Sequence, residues 1–257
     1  YQPKIDLRSG TVVGFEALAR WRHPAHGLLA PDVFIGPMEE DGSIVKLSVQ
    51  VLEQALAWLG GACAALDPPP SIAVNLSARD IADPALAGRL ADLARRHRVD
   101  PSRVIVEITE TNAMRDPRTA LATVTRLRVL GFRVALDDFG TGYSSMAHLA
   151  RLPLSSLKVD KSFVQSMATS TESRKIVEAI IRLGDSLGLE LVAEGVESRE
   201  TAEQLRDMGC HQIQGYLVAP ALPDVAIANW HATWWAGGMA RIAERRYLCA
   251  DNCLDAR

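Results

Sequence analysis

The sequence predicts an α/β fold, a (β/α)8 barrel of the TIM type with one strand antiparallel to the rest. Three observations carry that prediction. Eight short apolar runs alternate with longer amphipathic stretches across the length of one large domain. Most of those runs are continuously apolar, the pattern of strands buried on both faces of a parallel sheet. Polar residues, many of them acidic, recur at the C-terminal ends of the runs, which a barrel gathers at one rim. A doubly wound open sheet is the structural alternative, but it has fewer strands and collects its ligand groups at one switch point.

The apolar runs span residues 1–7, 12–19, 71–76, 103–109, 133–139, 156–160, 190–194 and 211–216. Only a short turn at Arg8, Ser9 and Gly10 separates the first two. No crossover fits there, so these two strands form a hairpin and one strand of the barrel runs antiparallel. Helical patterns follow at 44–66, 84–97, 117–130, 172–187 and 199–208. Asp83-Pro84 and Asp116-Pro117 each set an acceptor before a helix-opening proline. Gly131, Gly188 and Gly209 stand where left-handed C-terminal caps belong. There is no internal repeat and no Gly-, Ser- or Pro-rich linker. Residues 1–236 read as the barrel domain and 237–257 as a tail outside it.

Composition narrows the function. With 48% hydrophobic and 23% charged residues among 257, the chain is an ordinary globular protein, neither disordered nor collagen-like. The 28 Lys+Arg against 31 Asp+Glu leave a net charge of -3, no field for coating duplex nucleic acid. No apolar stretch reaches the ~20 residues of a membrane span. The opening YQPKIDLRSG has no signal-peptide core and begins directly on a strand, as a domain cut from a longer, cytoplasmic protein does. Four cysteines (Cys63, Cys210, Cys249 and Cys253) are too few and scattered for a disulfide framework, and Cys249 and Cys253 lack the further ligands a zinc site needs.

The strand ends hold the chemistry. Glu16 sits in VVGFEALAR, Asn75 in IAVNLS, Glu107 in VIVEITE, and Asp137 with Asp138 in VALDDFG. Lys158 and Asp160 follow in LKVD, Glu194 in LVAEG and Gln214 in HQIQGY. A single buried carboxylate is ordinarily a satisfied ion pair. Five of them with an asparagine, converging from different strands, repel one another unless divalent cations lie among them. Every candidate ligand atom is oxygen, which favours Mg²⁺ or Mn²⁺ over zinc. Asp137 and Asp138 are neighbours, so both reach one site only if the chain turns, as Gly140 and Gly142 permit. One carboxylate bridging two ions roughly 3.5–4 Å apart is the two-metal arrangement of phosphoryl displacement.

An ordered series of motifs sharpens this. FEALARWRHP at 15–24 is accompanied by YQP at 1–3, NLS at 75–77, EITE at 107–110 and DDFGTGYSS at 137–145. KVD at 158–160, AEGVE at 193–197 and QGY at 214–216 complete it. Together they resemble the EAL-domain phosphodiesterases, which hydrolyse cyclic di-GMP to linear 5′-pGpG. The resemblance implies that Glu16, Asn75, Glu107 and Asp137 bind one cation, and that Asp137, Asp138 and Glu194 hold a second. It implies catalytic roles for Glu16, for Lys158 near the attacking water, and for Glu194 as ligand or base. Arg20, Leu18, Gln214 and Asp160 are implied on the substrate side, with Glu110 and Glu197 anchoring the loop at 139–145.

A homodimer and further sensory or cyclase domains, some able to tether the protein to a membrane, belong to the same implication. The run Val218-Ala219-Pro220-Ala221-Leu222-Pro223 departs from the family by lacking an aromatic and a basic residue near the guanine. His23 and His26 read as loop residues, and Trp230, Trp234 and Trp235 as a packed barrel edge or dimer surface. Two other functions stay open: a receptor that binds cyclic di-GMP without cutting it, and a metal-using barrel enzyme of the enolase kind.

Overall fold

The structure is a computed structural model and describes residues 1–140 and 149–235. Its chain begins with the predicted hairpin, β1 (Gln2–Asp6) and β2 (Val12–Ala17). The Asp6 carboxylate fastens the turn, accepting from the amides of Arg8 at 3.0 Å and Ser9 at 2.6 Å. After two short strands, β3 (Trp21–His23) and β4 (Gly27–Leu29), come β5 (Ser71–Asn75), β6 (Val104–Thr109) and β7 (Arg133–Phe139). The set ends with β8 (Ser156–Val159), β9 (Glu190–Ala193) and β10 (Gln212–Gln214). Eight of these close a barrel in the order β1-β10-β9-β8-β7-β6-β5-β2. β1 is antiparallel to both its neighbours, β2 and β10, and the other barrel pairings are parallel.

Ten helices are described: α1 (Pro31–Asp41), α2 (Ile44–Gly60), α3 (Ala78–Ile81), α4 (Leu86–Arg96), α5 (Glu110–Arg115), α6 (Pro117–Val129), α7 (Lys161–Ser166), α8 (Thr171–Ser186), α9 (Arg199–Asp207) and α10 (Asp224–Trp235). Asp116 caps α6 as predicted, accepting from the Thr119 amide at 3.2 Å. Gly131, Gly188 and Gly209 all have positive φ just beyond their helices. Asp83 instead holds a turn through the Ala85 amide at 2.8 Å, so α4 starts two residues after Pro84.

Three further features depart from the sequence reading. The second strand stops at Ala17, two residues early. His23 and His26, read as loop residues, lie in a small β3–β4 sheet, His23 closing β3 and His26 in its turn. Helix α1 was hidden by Gly36 and Pro37 in its middle, which break the helical pattern; it nevertheless buries Phe34 against Trp21, ring centroids 5.9 Å apart. Residues 141–145 of the 139–145 loop, Gly142 among them, and the 237–257 tail with Cys249 and Cys253 lie outside the described residues. Among the described residues no helix is long and apolar enough to cross a membrane. Cys63 and Cys210 are buried free thiols, each pushed up to about 12 by burial.

Strand alternation splits the core in two. Outward-facing Phe15, Ile72, Val74, Val106, Val134, Leu157, Leu191 and Ile213 join the helices in one large buried cluster. Inside the barrel a separate plug of Ala73, Ile105 and Ala135 fills the narrow middle. At the N-terminal mouth Glu190 is held by Arg133 and by Gln212 Nε2, the latter at 2.6 Å. The C-terminal mouth is left for polar groups.

The β1–β2 hairpin leaves one sector of the outer ring without a crossover helix. Helix α10 covers it. Trp234 donates its indole N–H to Gly10 O at 2.9 Å, and Trp230 stacks on Trp234 with ring centroids 5.6 Å apart. Phe15 of β2 meets Trp230 and Trp58 edge-on at 6.3 and 5.2 Å, and Tyr1 stacks on Trp58 at 4.1 Å. The aromatic edge expected for Trp230 and Trp234 is thus packing within the barrel wall. Phe15→Ala removes the ring on which both sides of this seam rest, and should cost about 3–5 kcal/mol in denaturant unfolding. A loss below about 1 kcal/mol would show that α10 docks without it.

Candidate active site

Period-two alternation carries one polar side chain from each strand into the C-terminal mouth. Glu16 comes from β2, Asn75 from β5, Glu107 from β6, Asp137 from β7, Lys158 from β8 and Gln214 from β10. Glu194 follows the last residue of β9. Asn75 and Glu107 are in direct register on neighbouring strands. The ammonium of Lys158, only 1% exposed, is the hub. It lies 2.6 Å from Glu194, 2.9 Å from Glu107, 3.0 Å from Asp137 and 3.5 Å from Glu16.

Both oxygens of Glu16 are fixed: Asn75 Nδ2 donates to Oε1 at 2.6 Å and Gln214 Nε2 to Oε2 at 2.7 Å. Gln214, implied on the substrate side, therefore meets Glu16. The Gln214 amide also donates to Gln2 Oε1 at 3.0 Å. Behind it Gly215 lets β10 pass close to the turn after β9. A Cβ there would lie 2.2 Å from Val196 O and 2.3 Å from Val196 N, so the glycine in QGY is a packing requirement.

The charges tune one another strongly. Burial pushes the Glu16 carboxyl up, but Lys158, Lys4 and the two amide donors prevail and hold it at about 2. Burial and the Glu16 charge raise Glu107 to about 7, against the pull of Lys158 and Lys4. Burial likewise raises Glu194 to about 8, with Lys158 opposing. Lys158 pays for its own burial through Asp137, Glu107, Glu16 and Glu194, which hold it well above the usual lysine range.

Asp137 and Asp138 do reach one site, because the chain turns there, as expected. The β7–β8 register shifts between Leu136 and Phe139, and Asp138 itself takes a left-handed φ of 55°. The turn begins on the aspartate itself, and Gly140, where the sequence reading placed it, follows with a positive φ of 102°. Burial, Asp137 and Asp160 raise the Asp138 carboxyl to about 6. Carboxylate oxygens of Glu16, Glu107 and Asp137 lie within 4.8 Å of one another, as do those of Asp137, Asp138 and Glu194. Asp137 belongs to both groups. An all-oxygen donor set with one shared carboxylate fits a pair of hard divalent cations.

The other expected residues stand outside the two oxygen groups. Arg20 is exposed just beyond β2, its Nη1 donating to Ala19 O at 2.8 Å, and Leu18 beside it is half-buried. Asp160 caps α7, accepting from the Ser162 amide at 2.9 Å, and adjoins Asp138. Glu110, buried at the start of α5, accepts from the Gly140 amide at 3.1 Å, at the entrance of the loop it was expected to anchor. Glu197 is exposed and accepts from Gln165 Nε2 at 2.9 Å, on α7. The sequence reading missed Gln2 and Lys4. Both are polar, two apart in the run at 1–7, and that same-face spacing was the signal for their pointing inward together.

Fold and site together define a TIM-type barrel protein with an acidic, cation-suited rim. Residues 1–221 match the EAL domain family model, and the chain belongs to that family. It is 41% identical over 227 residues to the bifunctional diguanylate cyclase/cyclic di-GMP phosphodiesterase MucR of Pseudomonas aeruginosa, a match covering 87% of this chain and 33% of MucR. With the cyclic di-GMP phosphodiesterase RocR of the same organism it shares 40% over 224 residues, 87% of this chain and 57% of RocR. The chain thus spans a third to rather more than half of these relatives.

Among solved structures, the MucR phosphodiesterase in complex with c-di-GMP superposes with a TM-score of 0.85 at 40% identity, covering 88% of this chain and 92% of that one. The EAL enzyme Bd1971, with cAMP and cyclic di-GMP bound, gives 0.86 at 30% identity, with coverages of 90% and 63%.

Glu110→Ala deprives the Gly140 amide of its carboxylate without touching either oxygen group. Hydrogen exchange at the Gly140 amide should quicken about tenfold while calorimetric divalent-cation affinity changes less than about threefold. A tenfold loss of cation affinity would place Glu110 in the cation site.

Proposed function

We propose that this chain is a metal-dependent phosphodiesterase that opens one phosphodiester of cyclic di-GMP, giving linear 5′-pGpG. The observation that carries the proposal is the pair of carboxylate groups sharing Asp137, gathered from separate strands at the barrel's C-terminal mouth. Membership of the EAL family, and the cyclic dinucleotide bound in the structural neighbours, support this choice of substrate.

In this reading Glu16, Asn75, Glu107 and Asp137 hold one Mg²⁺ or Mn²⁺, and Asp137, Asp138 and Glu194 hold the second. Such ions supply a Lewis acid and an activated water at neutral pH. The protein's own groups do the rest. Lys158 keeps the carboxylates from separating and donates hydrogen bonds that orient the water. Glu194, at the edge of the cluster, accepts a proton as needed. Arg20, exposed beyond β2, turns its planar fork to the substrate phosphate. Leu18, Gln214 and Asp160 line the same approach. Glu110 and Glu197 steady the segments that flank it. A homodimer, a cytoplasmic setting and attached sensory or cyclase domains complete the reading, in line with the two activities in the name of MucR.

Incubation with cyclic di-GMP and Mg²⁺ or Mn²⁺, followed by chromatography, should yield the linear dinucleotide, and chelation should stop it. No linear product with either metal would reject the enzyme, and tight binding without product would make the chain a receptor. Glu16→Ala should lower the rate at least about 100-fold with an unchanged far-UV spectrum. A near-normal rate would remove Glu16 from the site.

A further inference from the structure

Lys4 belongs to none of the site roles assigned above. It extends from β1 into the barrel interior in register with Gly14, two residues deeper along β2 than Glu16. Its ammonium lies 3.4 Å from Glu107 Oε1, while Lys158 takes the opposite oxygen, Oε2, at 2.9 Å. Lys4 is 2% exposed and Glu107 0%. Glu107 is thus bracketed by two cations, and Lys4 also acts electrostatically on Glu16. A lysine so deeply buried is costly and persists only against a fixed anion.

The difference between the two lysines lies in what they face. Lys158 reaches four carboxylates. Lys4 makes its one close ion pair with Glu107, on the oxygen turned away from Lys158. It adds positive charge beneath the cluster without occupying its centre.

We propose that Lys4 is a charge-setting residue: it offsets part of the negative charge of the carboxylate cluster from inside the barrel, and so limits how tightly a divalent cation is held there. It acts through Glu107 and through space, touching neither cation nor substrate. The inference rests on the cation-binding reading of the site, and its sign is opposite to that of a merely structural residue. Loss of a structural lysine damages the site and weakens cation binding. Loss of a charge-setting lysine makes the site more negative, so the empty protein becomes less stable while the cation is held more tightly.

The test uses the whole chain with two variants, Lys4→Met and Lys4→Gln. Methionine matches the length of lysine without charge, and glutamine keeps a donor for Glu107 without charge. Thermal unfolding in chelator and calorimetric titration of Mg²⁺ at pH 8.5 are measured for both and for the wild type. The expected result is a lower unfolding temperature in chelator together with Mg²⁺ binding on the order of tenfold tighter. If the methionine variant does not fold, the glutamine variant is read alone. Equal or weaker Mg²⁺ binding in a folded variant would overturn the role of Lys4 and leave the cation reading standing. Absence of Mg²⁺ binding by the wild type would overturn the cation reading itself, and this inference with it.

Discussion

Four carboxylates share the mouth of one narrow barrel, and a single ammonium within 3.5 Å of each holds them there. Everything else at the C-terminal rim is arranged around that balance of charge. Removing one partner from a buried ion pair ordinarily costs about 3–5 kcal/mol, because the remaining charge has no solvent to turn to. Here the remaining charges would also face one another. The amide donors of Asn75 and Gln214, which fix both oxygens of Glu16, keep the cluster from relaxing outward. Charge and geometry are therefore set by the same contacts.

The reversed first strand gives the barrel its asymmetry. On the outside it removes a crossover helix, and the gap is filled by α10 and a seam of aromatic rings. On the inside it delivers Gln2 and Lys4 from a strand running against the rest, one to the amide network and one to the buried face of Glu107. Between the acidic mouth and the Arg133–Glu190–Gln212 group at the other end lies the small apolar plug of Ala73, Ile105 and Ala135. The interior is a layered column, with charge at both ends and methyl groups between.

Much of this was legible in the sequence, and the reasons are physical. Apolar runs marked the strands because burial on two faces permits little else, and the short turn at 8–10 forced the hairpin. Glu16, Asn75, Glu107, Asp137 and Lys158 stood out because charge or amide at the end of an apolar run needs a cause. What stayed hidden had weaker signals. Helix α1 carries Gly36 and Pro37 in its interior, so local propensity contradicts its tertiary fate. Lys4 sits in the middle of its run rather than at the end, where a lone lysine passes for a solvated one. The share of Asp138 in the turn stayed hidden behind that of Gly140, since left-handed aspartates are uncommon and glycines are the default.

That turn separates two adjacent residues into different mechanical units. Asp137 is pinned in the ladder opposite Thr109, whereas Asp138 stands in the irregularity between the Leu136–Leu157 and Phe139–Val159 pairs. Because the ladder closes again at Phe139, the irregular residue is clamped from both ends. One carboxylate of the acidic centre is thus aimed by regular pairing and its neighbour by a single interruption of the same strand.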